Sequence, residues 1–110
     1  MTDTLFSKII RGEIAAPRVY EDEFCIAIND IAPKAPVHIL VIPKKPIPRL
    51  VDTGSEDQLL LGHLMLVAQK LAVDAGTGES FRLLINNGAG AGQTVFHLHL
   101  HILGKQSFSE

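Results

Sequence analysis

Three of the chain's five histidines, His97, His99 and His101, stand at alternate positions in GQTVFHLHLHILG, residues 92–104. Side chains alternate across an extended strand, so these imidazoles share one face while Leu98, Leu100 and Ile102 take the other. The leucine face fits a strand packed on a helix; the histidine face must look into a cleft or out to water. An imidazole row can bind a metal, catalyse reactions at phosphorus, or simply form an exposed polar surface. A shared ion is the demanding case. His97 and His101 start about 13 Å apart at a rise of roughly 3.3 Å per residue, and residues 95–103 hold no glycine to favour a bulge. The only acidic side chain near them in sequence is Glu110.

Catalysis asks less of the geometry. Imidazole titrates near 6.5, so both of its protonation states are accessible at neutral pH. His99, flanked on both sides, is the natural nucleophile, with His97 and His101 holding a phosphate or fixing a tautomer. As a cleft residue, His99 is expected to be exposed and to carry little packing. The loop ahead of the row adds weight. Gly88, Gly90 and Gly92 permit backbone conformations that aim several N–H groups at one anion, although such a loop is often only a connection. Gln93 and Thr94 stand between loop and histidines, where they can hydrogen-bond a phosphate or a leaving group. His38, alone in VHILVIP, reads equally as a satisfied core residue or a functional one. His63 reads as structural, and Cys25 as a small buried hydrophobe. Asp30, at a strand end, serves either as a turn cap or as an acceptor for a sugar hydroxyl.

The elements that must position these residues follow from periodicity and punctuation. Residues 4–11 predict a short helix capped by Asp3 or Thr4 and ended by Gly12. Strands are predicted at 18–22, 24–30 and 37–43, and the Pro-Lys-Lys-Pro-Ile-Pro run after the third cannot sit inside a sheet. Ser55 with Gln58 reads as a capping box that opens a helix to about Asp74. That helix is apolar nearly all round, whereas packing on a single sheet needs one stripe. One side is therefore expected on the sheet and another on a second copy of the chain. Strands at 81–86 and 95–103 complete a single α+β domain over residues 1–110, a largely antiparallel five-stranded sheet with two helices.

Composition narrows the class. With 110 residues, 46% apolar and 20% charged, the chain can bury a core as one domain. A net charge of −2 gives no footing for general nucleic-acid binding. One cysteine forbids an internal disulfide and fits a reducing compartment. MTDTLFSKIIRGE lacks the features of a signal peptide, and no apolar run approaches the roughly 20 residues of a membrane span. The expectation is a cytoplasmic protein with no membrane partner.

HLHLHIL resembles the His-φ-His-φ-His-φ-φ signature of the histidine-triad nucleotide hydrolases and transferases. The likeness extends through LFSKIIRGEI, YEDEFCIAINDIAPKAPVHILVIPKK, LLGHLMLVAQKLA and GAGAGQTVFHLHLHILG, which together are similar to the Hint branch, the purine nucleoside phosphoramidases. The resemblance implies a homodimer with sheets joined across its interface, and a metal-free, cofactor-free reaction. In it His99 attacks the α-phosphate of an adenosine 5′-phosphoramidate or acyl-adenylate, and water releases AMP from the nucleotidyl-histidine. It implies further that His101 bonds the phosphate, that His97 supports the site and that His38 completes a relay with His97. Asp30 would bind the ribose, with Ile14, Ile28 and Ile31 lining the base pocket. Asn86, Gly92, Gln93 and Thr94 would surround the phosphate and leaving group. Asn29 stands where many relatives have histidine, Thr94 where Hint members often have serine, and Ile28 where some carry an aromatic. The sequence closes on KQSFSE where relatives carry a longer tail. These departures bear on substrate preference. The alternatives are a dinucleoside polyphosphate hydrolase of the Fhit-like branch and a nucleotide-binding partner protein with vestigial hydrolysis.

Overall fold

The computed structural model describes residues 3–109; Glu110 lies outside them. The element order is α1 (Leu5–Ile10), β1 (Arg18–Glu21), β2 (Cys25–Asn29), β3 (Val37–Pro43), α2 (Gln58–Asp74), β4 (Phe81–Leu84) and β5 (Leu100–Gly104). The five strands form one sheet in the order β1-β2-β3-β5-β4, and every neighbouring pair is antiparallel. The predicted α+β architecture is therefore the one observed.

Each face of the sheet collects alternate residues. Cys25, Ala27, Ile39, Val41, Leu98, Leu100 and Ile102 pack with Leu64, Val67, Ala68, Leu71 and Ala72 of α2. Ile26, Ile28, Leu40 and Ile42 turn the other way and meet Phe6 and Ile9 of α1. The leucines between the histidines thus lie against a helix, as their spacing predicts.

The two helices cover their faces unequally. A helix of only six residues is marginal by itself, and α1 depends on its contacts. The Thr4 side chain accepts the Ser7 N–H at its start, a cap worth about 1 kcal/mol. Phe6 and Ile9 are buried, each burial contributing about 1.5–3 kcal/mol. The Arg18 guanidinium of β1 donates to the carbonyls of Ile9 and Ile10, where a cation also complements the negative end of the helix. α1 is nevertheless too short to cover its side of the sheet, which leaves a hollow beside it.

Two expected boundaries are corrected. The box that opens α2 is closed by Asp57, not by Ser55 and Gln58. The Asp57 carboxylate accepts the Gly54 N–H at 3.0 Å and also receives the Lys45 ammonium, and a single turn over Ser55–Asp57 precedes the helix. A buried carboxylate paired with a cation is a stronger acceptor than a serine hydroxyl. The second correction concerns the last strand, which is laddered only from Leu100, not from residue 95. Its register pairs Val41 with Leu100, so two residues further on Pro43 would stand opposite Leu98. Pro43 has no N–H to give. The Leu98 N–H turns instead to the Ile47 carbonyl, and residues 93–99 run as irregular chain.

Candidate functional site

The hollow beside α1 is a cavity of ≈ 520 Å³, within the usual range for a small-molecule site. Its apolar wall comes from α1 (Phe6, Ile9), the following turn (Ile14, Pro17) and β2–β3 (Ile28, Leu40). Asn29, Asp30, Thr94, His99 and His101 supply its polar groups, and Ile31 stands exposed at its edge.

Backbone groups set the tautomer of each histidine. The Lys34 N–H donates to His38 Nδ1 at 3.0 Å, so neutral His38 carries its proton on Nε2. That proton is donated to His101 Nδ1, 2.9 Å away. His101 must then be protonated on Nε2, and this atom is buried without a hydrogen-bond partner among the described residues. His99 is held the other way round. Its Nδ1 lies 2.7 Å from the His97 carbonyl, an acceptor, so Nδ1 bears the proton and Nε2 keeps a lone pair. The two rings, with centroids 4.9 Å apart, both line the cavity, one carrying a nitrogen lone pair and the other an N–H buried in the wall.

His97 has a different situation. It is almost wholly buried, lines no part of the cavity and donates from Nε2 to the Pro43 carbonyl at 2.7 Å. The partner of His38 is His101, not His97, which corrects the relay that the resemblance implied. Pro43 stands beyond the last pair of the ladder to the final strand, and its carbonyl takes the His97 proton.

Electrostatics agree with these assignments. Burial pushes His99 below its ordinary value, against the partial opposition of the His97 carbonyl and the Asp30 charge. Burial, then the proximity of His99 and His38, pushes His101 down to about 4. Burial likewise lowers His38 and His97. All four imidazoles are neutral at pH 7. Asp30 Oδ2 lies 3.4 Å from His38 Nε2, and Oδ1 accepts the Ala32 N–H. Asp30 thus caps its turn and also faces the cavity.

Several expectations are altered. His99 is buried, only 8% exposed, with Phe6 edge-on at 4.9 Å between ring centroids, so it carries more packing than a cleft position suggests. The glycine loop is not an open anion nest. The N–H groups of Ala91, Gly92 and Gln93 bond to carbonyls of Gly88 and Ala89, and the Gly88 N–H bonds to Gln93 Oε1. Gly88 and Gly92 have φ of 91° and 95°, a region where a side chain would be strained; they serve the turn. The Gln93 amide also donates to the carbonyls of Pro48 and Val95, so it braces the loop. Gly92, Gln93 and the half-buried Asn86 do not line the cavity. The rings of His97 and His99 are engaged with separate carbonyls, in keeping with the expectation that the three do not meet at one ion.

Phe6 and the Lys34 N–H are components that the sequence reading lacked. An aromatic at an apolar helix position reads as core, and a backbone donor leaves no trace in residue type. Among the described residues, no helix is long and apolar enough to cross a membrane.

Comparison with known proteins agrees with the geometry. The family model described as the HIT domain matches residues 11–108. A HIT-like protein of Synechocystis sp. is 63% identical over 107 residues, covering 97% of this chain and 94% of its own. The crystal structure of a HIT family hydrolase from Legionella pneumophila superposes with a TM-score of 0.95 at 44% identity, covering 97% of this chain and 96% of that one. A histidine triad protein from Clostridium difficile gives 0.93 at 40% identity, covering 100% and 96%.

Proposed function

The chain belongs to the HIT-domain family, and on that premise we propose that it hydrolyses purine nucleoside 5′-phosphoramidates and acyl-adenylates to AMP through a nucleotidyl intermediate on His99. The observation that carries this reading is the pair of opposite tautomers. His99 and His101 line the same cavity, His99 with a nitrogen lone pair and His101 with a buried N–H that no described residue accepts.

In the first step, His99 Nε2 bonds to the α-phosphorus and the P–N bond breaks. The amine departs, taking a proton from solvent at the cavity mouth. The His97 carbonyl, already bonded to Nδ1–H, stabilises the positive charge that develops on the ring. The His101 Nε2–H bonds a non-bridging oxygen; a donor aimed at developing charge is worth about 2.7–4 kcal/mol of barrier. In the second step water attacks the phosphorus, His99 leaves as neutral imidazole, and the water's proton balances the one taken by the amine. Neither step requires a metal. The base would lie against Ile14, Ile28 and Ile31, with Asp30 accepting from ribose hydroxyls. Asn29 and Thr94 stand at the rim, next to base and leaving group respectively. Gly92 and Gln93 act from behind the wall, by fixing the loop that carries Thr94, and Asn86 stands at the start of that loop.

The outward side of α2 supports a homodimer. Leu59, Met65, Leu66 and Val73 are exposed on a helix whose other side fills the core. The single free, buried cysteine fits a cytoplasmic setting. Release of AMP from an adenosine 5′-phosphoramidate in excess EDTA tests the activity.

A further inference from the structure

We propose that Asp22, Cys25 and His63 form a binding site for a zinc-like divalent cation, separate from the nucleotide cavity. The three residues come from three places in the fold: the β1–β2 turn, the first position of β2 and the second turn of α2. One ligand atom of each (a carboxylate oxygen, Sγ and an imidazole nitrogen) lies within 4.8 Å of the other two. Tetrahedral coordination with bonds of about 2.0–2.3 Å sets such atoms about 3.3–3.6 Å apart, so shifts of about 1 Å, inward for the wider pairs and outward for His63 and Asp22, enclose an ion. A thiolate, an imidazole and a carboxylate together select a borderline cation such as Zn²⁺ over Mg²⁺ or Ca²⁺.

The surroundings hold these ligands in place. Asp22 Oδ1 accepts the N–H groups of Phe24 and Cys25, and the Tyr20 hydroxyl donates to Oδ2. These are the outer contacts that orient a coordinating carboxylate. His63 Nε2 donates to Asp22 Oδ2 at 2.6 Å, a hydrogen bond that the ion would replace as the two atoms move apart. Cys25 is fully buried, while the side chains of His63 and Asp22 are 33% and 22% exposed, so an ion enters from their side and a water completes its shell. On binding, the Cys25 thiol proton leaves to solvent as the metal–sulfur bond forms. His63 moves its proton to Nδ1 and coordinates through Nε2. Three protein ligands and an open fourth position describe a site able to take up and release its ion.

Cys25 is the only cysteine, which makes the test specific. Cobalt(II) added to the intact protein should give one equivalent of bound metal with a sulfur-to-cobalt charge-transfer band, displaced by zinc. Cys25→Ser should abolish the band. His63→Gln, at a partly exposed position that leaves the core intact, should weaken binding at least about tenfold without altering nucleotide hydrolysis. His101→Asn should leave the band unchanged. Absence of the band in wild type, cobalt bound without it, or equal affinity in His63→Gln would overturn the proposal.

Discussion

His38 and His101 are joined Nε2 to Nδ1 at 2.9 Å, and the Lys34 N–H behind His38 gives that bond its direction. A backbone amide can only donate, so the proton order along Lys34, His38 and His101 is determined. It ends on an imidazole N–H with no partner among the described residues. The His97 carbonyl fixes His99 in the opposite sense. Two side chains of identical chemistry are thereby given different tasks, His99 by a backbone carbonyl and His101, through His38, by a backbone amide.

Replacing His38 should therefore act through His101. In His38→Leu, His101 loses its acceptor role and its tautomer is no longer set. We expect kcat to fall about 10²-fold, at the lower end of what a positioned proton donor contributes. Nitrogen NMR of the imidazoles should show His101 as the Nε2–H form in wild type and a mixture in the variant. An unchanged tautomer would contradict the relay.

Acid should cost the protein stability before its carboxylates titrate. In the folded state burial keeps all four site histidines below their ordinary value near 6.5, with His101 at about 4. Between those limits the unfolded chain binds more protons, so stability falls as pH falls. Their contribution is complete above about pH 6.5 and disappears progressively toward about pH 4. Urea midpoints across this window should decline, and His101→Asn should flatten the slope. A midpoint that rose on acidification would contradict the neutral assignments.

Asp30→Ala should mainly weaken nucleotide binding. Loss of a charged acceptor is worth about 1.5–3 kcal/mol, or a rise in the Kd for AMP of about 10–100-fold. Calorimetric titration measures it, and unchanged affinity would remove the ribose assignment.

The exposed side of α2 leads to a dimer prediction. Wild type should sediment as a dimer at micromolar concentration. Leu66→Glu, at a position 68% exposed, should give a folded monomer. A monomeric wild type would contradict the pairing.

What the sequence revealed follows from period and residue type. Alternation placed Leu98, Leu100 and Ile102 against α2 and the histidines opposite, because any extended backbone sorts its side chains that way. It overstated the strand, since the missing N–H of Pro43 lies on a neighbouring element, remote in sequence. The glycines at 88, 90 and 92 pointed to an irregular connection, whereas Ala89–Ala91 form a single helical turn whose neighbouring amides close on the loop's own carbonyls and on Gln93. The burial of His99 was hidden for a related reason. Phe6, which lies against it, is more than ninety residues away, in a helix whose apolar face reads as ordinary core.

The most direct test of the central claim is steady-state AMP release from adenosine 5′-phosphoramidate carrying a lysine leaving group, in excess EDTA. It compares wild type, His99→Ala and His99→Gly with added imidazole. Wild type should turn over, and His99→Ala should lose about 10⁴-fold or more, the scale seen when a nucleophile is removed. Free imidazole, filling the space left by the ring, should partly restore the glycine variant. Because His99 packs against Phe6, its removal should also cost about 1–3 kcal/mol of stability, so thermal unfolding must confirm that each variant is folded. Turnover by folded His99→Ala at the wild-type rate, or none by wild type that binds AMP, would contradict the account.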